Sequence, residues 1–300
     1  MKAISYYMIL LVFVLPINCL AQGYLKSDYI LSSSLKDDAG NKFGSGDLFK
    51  ISGRYTLPLS VKRNDSGQVS AWSATLSGSY GMLNNKDMSV DINPDKIVNA
   101  NLSISHIRPL SEKWYLLASL GGGLFSEPNK ITGKSLLING GGIFVYRVND
   151  NLDIGIGAGV TNAYGAPIIM PMSYLKMQFV GKYELKVDMA SNAEISASIQ
   201  FRENFKLRLV ALEVDGLSAV MKRNDKSMIY ASTVLRSYLT PELKVGKLST
   251  LYLGVGGAWI RSAKLTDRTY KSFIDYFKKD DNDYRFAPTG YLTVGFKYGF

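Results

Sequence analysis

The last ten residues alternate between bulky apolar side chains and small or polar ones. The apolar positions are Leu292, Val294, Phe296, Tyr298 and Phe300, and the positions between them are Thr293, Gly295, Lys297 and Gly299. A period of two places every second side chain on the same face of a β-strand. An alternating strand that ends on an aromatic residue is typical of the closing strand of a transmembrane β-barrel, where outer side chains contact lipid and aromatic residues form an interfacial girdle.

The aromatic residues of this segment suggest how such a barrel would reach its membrane. Phe296, Tyr298 and Phe300 resemble the carboxy-terminal signal by which the outer-membrane assembly machinery recognises its substrates. The expected partners are therefore that machinery and the lipid of the outer membrane.

The amino-terminus has the features of an export signal. Lys2 precedes an apolar run, Tyr6–Leu15, which is too short for a membrane helix of about 20 residues but suits a secretory signal. Cleavage after Ala21 would leave one domain, residues 22–300, and would remove Cys19, the only cysteine. Lipidation of Cys19 is disfavoured because Asn18 occupies a position where a small residue is required.

Composition excludes several classes of function. Hydrophobic residues make up 46% of the chain, yet the mean hydropathy is only +0.01, which suits alternation rather than apolar blocks. The net charge of +10 could indicate nucleic-acid binding, but the basic residues are scattered and the chain carries an export signal. A single histidine argues against a histidine-based metal site.

Candidate strands follow one another along the chain, and the connections between them differ in length. Short turns are predicted at Arg108–Trp114, Val148–Leu152 and Phe201–Phe205. Longer connections are predicted at Leu83–Lys96, Ser126–Ser135, Asp215–Lys226 and Ala263–Arg285. Outer-membrane barrels have short periplasmic turns, long external loops and usually an even number of strands.

The parity of these connections bears on the number of strands. The three short turns fall on the periplasmic side only if residues 24–35 form a strand, and this favours a total of fourteen strands. A total of twelve remains open because the hairpin near Ser191 is short and its two strands could be miscounted. Residues 22–47 are therefore a first strand or, alternatively, a short plug. The predicted fold is an all-β antiparallel transmembrane barrel of 12–14 strands.

On these residues the chain resembles the outer-membrane β-barrels of Bacteroidota, a Gram-negative group, and most of all an uncharacterised porin-like family. The matching parts are the cleavage site at Ala21, the hairpin His106–Phe125, the segment Gly256–Ile260 and the closing Tyr291–Phe300. The resemblance implies a barrel fold and an outer-membrane location. That family has no established activity, so it implies no catalytic residues.

Three features could carry chemistry, and each has a simpler structural interpretation. His106 faces away from Ser103 and Ser105, so it is more readily an interfacial residue at a strand end than the base of a lipid-modifying enzyme. The glycine runs 121–123 and 140–142 lack the lysine of a phosphate loop and permit close strand packing instead. Residues 280–283 (DDND) could bind calcium, but a solvated loop tip is favoured. We expect no catalytic, cofactor or metal site.

Charged residues on the polar faces of the strands are candidates for the lumen. They are Lys50, Arg54, Arg147, Asp153, Glu184, Lys186, Asp188, Glu194, Arg202, Lys206, Arg208 and Lys297. A ring of cations in a pore favours anions. Pairing of these charges across strands would instead hold the interior together, and the sequence leaves both interpretations open.

Three functions remain at this stage. The leading hypothesis is a passive pore for small polar, and in one version anionic, solutes. The second is a structural or surface-interaction barrel that acts through its external loops, especially Ala263–Arg285. The third and weakest is a lipid-modifying enzyme.

Overall fold

The computed structural model describes residues 21–189, 193–223, 225–275 and 284–299. These residues form one closed antiparallel β-barrel. The predicted signal peptide, apart from Ala21, lies outside the described residues, as do residues 191–192 and 280–283 and the terminal Phe300.

Fifteen strand segments make up the barrel wall. The first eight are β1 (Gln22–Lys36), β2 (Lys42–Arg63), β3 (Val69–Lys86), β4 (Lys96–Pro109), β5 (Trp114–Ser126), β6 (Leu136–Asn149), β7 (Leu152–Thr161) and β8 (Ile168–Phe179). The others are β9 (Tyr183–Asp188), β10 (Glu194–Arg202), β11 (Phe205–Arg223), β12 (Lys226–Lys244), β13 (Ser249–Asp267), β14 (Tyr284–Phe286) and β15 (Thr289–Tyr298). A 3₁₀ turn, Gly133–Ser135, and one short helix, α1 (Tyr270–Asp275), lie in connections.

The barrel closes through the first and last strands. β1 pairs with β2 on one side and with β15 on the other, where Leu25 lies opposite Phe296. β14 and β15 both pair with β13 and β1, so they act as one strand interrupted at Ala287 and Pro288. Proline lacks a backbone donor and commonly marks such an interruption. The barrel therefore has fourteen strands, which confirms the parity argument.

Connection lengths separate the two ends of the barrel. Residue 22 of β1 and Tyr298 of β15 lie at the same end as the tight turns β4–β5, β6–β7 and β10–β11, and we call this the terminus end. The longer connections β3–β4 and β5–β6 lie at the opposite, loop end.

One predicted loop is wrong. Residues 215–223 belong to β11 and β12 begins at Lys226, so Asp215–Lys226 is mostly strand. The apolar residues there pack inside the barrel, which explains why their sequence does not look like a two-faced strand. Residues 22–36 form β1 and residues 42–47 begin β2, so this segment is part of the wall.

The outer face of the barrel is apolar. Four residues of this face, Leu76, Leu102, Leu120 and Ile156, are each more than half exposed. The polar residues that alternate with them along each strand point to the opposite, inner face. At the terminus end, aromatic rings contact one another between strands: Trp72 stacks on His106, Trp114 lies tilted against Tyr146, and Phe201 lies near Phe205. Such a belt with an aromatic rim is typical of a barrel surrounded by lipid.

Among the β-bulges of the barrel wall, one on β11 and one on β13 reverse the parity of strands that carry buried charges. Val210 pairs with Tyr238 and Glu213 with Arg236, which leaves one extra residue on β11. Leu235 pairs with Ile260 but Arg236 with Ala258, so Trp259 is the extra residue on β13. Beyond each bulge the other set of side chains turns inward.

The glycine runs have the steric role predicted for them. A Cβ atom at Gly121 would lie 2.8 Å from the Cβ of Ser103, and one at Gly141 would lie 2.7 Å from the carbonyl oxygen of Ala158. Neighbouring strands leave no room for a side chain at either position. Among the described helices, none has the length and apolar character needed to cross a membrane.

Candidate functional site: the barrel lumen

Hydrophobic side chains fill the lumen at the loop end. We call this group the apolar plug; its buried members include Ile30, Leu35, Leu48, Leu83, Ile97, Leu217, Ala219, Met221, Tyr230 and Val234. β11 contributes most directly because it leans across the lumen: Val220 pairs in parallel with Ser126 of β5. Leu217 also reaches the opposite wall, where a Cβ at Gly81 would lie 2.7 Å from its Cδ1 atom. The plug thus spans the barrel interior.

The β3–β4 connection folds inward over this plug. Met88, Val90 and Ile92 pack against it. The buried hydroxyl of Tyr230 donates to Oδ1 of Asn93 at 3.1 Å. A long polar-looking connection in the sequence is therefore an internal cover at the mouth of the barrel.

Arg223 ties this cover to a second connection. It lies 3.3 Å from Asp91 in the β3–β4 connection and 3.4 Å from Glu127 beyond β5. The two ion pairs hold the two connections together at the loop end.

Below the plug lies a central charge cluster made of three basic and three acidic side chains. Its members are Lys26, Asp28, Lys50, Glu213, Asp215 and Arg236. Arg236 is 1% exposed. Because an unpaired charge is very costly to bury, the balanced composition is what permits this burial.

Arg236 is the centre of this cluster. Its guanidinium donates to both carboxylate oxygens of Glu213 at 2.9 and 3.0 Å and lies 3.0 Å from Asp215 and 3.7 Å from Asp28. It also stacks over the Tyr291 ring, 4.6 Å from the centroid. Bidentate geometry of this kind fixes both partners in place.

Nearer the terminus end the lumen widens into a vestibule of about 270 Å³. Its charges are also paired. Lys297 donates to Glu242 at 2.8 Å, and Arg208 contacts both Glu242 and Glu194. The vestibule is polar, but its cations are largely neutralised by neighbouring carboxylates.

A second cavity, of about 460 Å³, lies against the opposite wall, which β2–β6 form. We call it the neutral-wall cavity because hydroxyl, amide and glycine residues dominate its wall: Ser52, Gly53, Ser77, Gly78, Ser79, Asn99, Asn101 and Asn139. Lys26, Lys50, Glu213 and Asp215 of the central cluster border it as well, and it shares Tyr24, Lys26 and Glu213 with the vestibule. The two cavities therefore adjoin beneath the plug.

Most of the twelve predicted lumen charges form ion pairs with one another or with lumen residues. Lys50 pairs with Asp215; Arg147 with Asp153; Lys206 with Glu184; Lys186 with Asp188 and Glu194; Arg208 with Glu194 and Glu242; and Lys297 with Glu242. Arg202 is exposed at the end of β10, away from both cavities. Arg54 lines the neutral-wall cavity and forms no ion pair among the described residues.

Only Lys50, of the six members of the central cluster, is among the lumen charges predicted from the sequence. Arg236 was not among the predicted lumen charges, and Glu213 and Asp215 were missed because the bulge near Val210 turns odd-numbered residues inward on β11. Strict alternation from Lys206 and Arg208 would place them outside. Lys26 and Asp28 could have been found, since they alternate with Leu25 and Tyr29 in a segment treated as uncertain.

The residues considered for chemistry form no active centre in the described part of the chain. The His106 ring stacks on Trp72 with centroids 4.1 Å apart, and its Nδ1 lies 3.1 Å from the carbonyl oxygen of Ala71. His106 therefore lies near the end of β4, as predicted, and its interfacial position stays a prediction. Among the described residues, no three or more histidine, cysteine or acidic side chains lie together so that they could hold a metal ion.

Two residues of the predicted assembly signal can be placed. Phe296 faces outward and is 37% exposed, and Tyr298 ends β15 opposite Gly23. Phe300 lies outside the described residues. Recognition by the assembly machinery stays a prediction.

Comparison with known proteins gives a family but no function. A family described as a domain of unknown function, DUF6268, matches residues 17–299. No curated protein matches the sequence.

Several solved barrels are similar in structure at low identity. An outer-membrane channel from Pseudomonas putida F1 is 9% identical, with a TM-score of 0.45 over 95% of this chain and 96% of that one. The toluene transporter TodX of Pseudomonas putida is also 9% identical, with a TM-score of 0.37 over 95% and 91% of the chains. The KdgM porin is 9% identical, with a TM-score of 0.28 over 92% and 99%. These similarities are too weak to assign any property of those channels to this chain.

Proposed function

We propose that this chain, which belongs to the DUF6268 family, is an outer-membrane channel for small polar solutes whose loop end is closed in the conformation described here. The observation that carries the proposal is the pair of adjoining polar cavities, of about 270 and 460 Å³, inside a barrel whose loop end is filled by the apolar plug. A barrel with a purely structural role has no need for such a hollow, hydrogen-bonding interior.

The outer surface supports a membrane location. A continuous apolar face in water is rare on soluble proteins, and here Leu120 and Ile156 are 66% and 73% exposed. The contacting aromatic residues at the terminus end match the position of an interfacial girdle. Export by residues 1–21 and an origin in Bacteroidota remain part of this proposal.

Opening would require movement at the loop end. The plug is held by β11 and by the β3–β4 connection, which the Tyr230–Asn93 hydrogen bond and the Arg223–Asp91 ion pair secure. Displacement of this connection would join the polar cavities to the outside. The channel is thus of a gated kind rather than a permanently open pore.

Planar-bilayer recording tests this function. The wild-type protein should show brief, infrequent openings, and a variant lacking residues 88–93 should open more often because the internal cover that packs on the plug is gone. A heat-dependent shift in electrophoretic mobility serves as the control for folding. If the folded deletion variant stays silent, the channel proposal is contradicted.

A second candidate function is a structural or surface-interaction barrel. The paired charges of the central cluster and the apolar plug favour it, because both fill the lumen with protein contacts. In that case the deletion variant would fold and remain closed. We give the enzyme hypothesis no further weight because His106 engages Trp72 and a backbone carbonyl.

A further inference from the structure

Among the described cations that line the two cavities, all but one contact a carboxylate. The central cluster contains equal numbers of basic and acidic side chains, and the vestibule cations each contact a carboxylate. Arg54 is the exception among the cavity-lining cations of the described chain. It borders the neutral-wall cavity with no carboxylate within ion-pair distance.

The position of Arg54 is fixed by strand register. It lies opposite Tyr24 of β1 and opposite Ser77 of β3, so its neighbours across the sheet are a phenol and a hydroxyl. Along its own strand the same face carries Ser52 and Thr56, and Thr56 is engaged with Thr75 at 3.0 Å. The cation therefore projects from a wall of hydroxyl groups.

Polar atoms on this wall have unused hydrogen-bonding capacity. Ser52 is only 8% exposed, and its Oγ atom has no partner. Oδ1 of Asn101 and Nε of Arg54 are likewise buried without a partner. Buried polar groups are nearly always hydrogen-bonded, so these three atoms are candidates for contact with a bound molecule.

We propose that the neutral-wall cavity binds a small carboxylate that carries hydroxyl groups, as a sugar acid does, with the carboxylate on Arg54 and the hydroxyl groups on Ser52 and Asn101. A guanidinium matches a carboxylate through two parallel hydrogen bonds. A volume of about 460 Å³ lies within the usual range of small-molecule sites. The inference rests on the proposed function in that the ligand would be the solute of the channel.

Three probes separate the contributions to binding. Gluconate carries both a carboxylate and hydroxyl groups, sorbitol has the same carbon chain without the charge, and acetate has the charge without the hydroxyl groups. Titration calorimetry on the folded barrel in detergent should show gluconate binding at least tenfold more tightly than either of the others. Equal affinity for gluconate and acetate would overturn the assignment of the hydroxyl wall.

Arg54 variants test the charge. Arg54→Gln should weaken gluconate binding at least tenfold and leave the sorbitol affinity unchanged, because only the charge-assisted contact is lost. Arg54→Lys should retain part of the affinity. The matched control is Arg202→Gln, which removes the same charge from the exposed end of β10 and should bind gluconate like the wild type.

Binding and conduction are read separately, so the two proposals can fail independently. If gluconate binds through Arg54 but the variant lacking residues 88–93 does not conduct, the site stands and the channel proposal fails. If the deletion variant conducts but wild-type gluconate binding is absent, or is unaffected by Arg54→Gln, the site is wrong and the channel stands.

Discussion

The two walls of the lumen differ in how their polar groups are satisfied. On the wall formed by β1 and β9–β12, charged side chains pair with one another, and Arg236 alone meets three carboxylates. On the wall formed by β2–β6, short neutral side chains predominate, and Ser52, Arg54 and Asn101 carry buried atoms without partners. The charges of the first wall are paired within the protein, whereas Arg54 on the second wall has no carboxylate partner among the described residues.

This contrast separates stability from binding. Removing one member of a satisfied buried network leaves its partners charged and unpaired, which is strongly destabilising. Removing a polar group that has no protein partner costs little in the folded state. We therefore expect mutations on the charged wall to change the free energy of unfolding and mutations on the neutral wall to change ligand affinity.

The largest effect should come from Arg236→Leu. It leaves Glu213, Asp215 and Asp28 without their shared cation, so we expect a loss of about 3–5 kcal/mol in the free energy of unfolding. Urea titration followed by tryptophan fluorescence in lipid vesicles measures this loss. Arg202→Leu, at an exposed turn, should change it by no more than about 0.5 kcal/mol. Similar values for the two variants would mean that the cluster does not stabilise the barrel.

A slightly smaller loss is expected for Leu217→Ala in the plug. Leu217 is 4% exposed and packs against the opposite wall, so its truncation leaves a cavity and should cost about 2–5 kcal/mol. The same variant should open more often in bilayer recordings because the plug is loosened. Leu120→Ala, on the outer face, is the matched control. Destabilisation without any change in conductance would argue that the plug does not close the lumen.

The smallest change in stability should come from Asn101→Ala on the neutral wall. Because Oδ1 of Asn101 has no protein partner, the free energy of unfolding should fall by less than about 1 kcal/mol. Gluconate affinity, measured by calorimetry, should nevertheless decrease. A loss of stability as large as that of Arg236→Leu would erase the distinction between the walls.

Much of the fold could be predicted from the sequence. Alternation in the closing strand and the parity of the short turns predict a closed barrel, and counting Gln22–Lys36 as a strand gives the observed fourteen. The outward position of His106 also follows from alternation. These features depend on the period of the strand, which is a local property.

The interior was less predictable because it depends on departures from that period. The bulge on β11 turns Glu213 and Asp215 inward, and the bulge at Trp259 does the same for Arg261. Neither bulge has a clear sequence signal. The plug was missed for a different reason. The inner face of β11 near Leu217 is apolar, whereas the inner face of a water-filled barrel is expected to be polar.

The central claim is that the lumen is open from the terminus end and closed at the loop end. The most direct test places a single cysteine at Ser77, in the neutral-wall cavity, in the chain refolded without residues 1–21 and therefore without Cys19. A membrane-impermeant thiol reagent is added to one side of oriented vesicles. Two reference variants show which end of the barrel faces the reagent: Asn129→Cys lies at the loop end and Asn151→Cys lies at the terminus end. We predict that Ser77→Cys reacts only from the side that labels Asn151→Cys. Reaction from the loop side, at a rate like that of Asn129→Cys, would contradict the account.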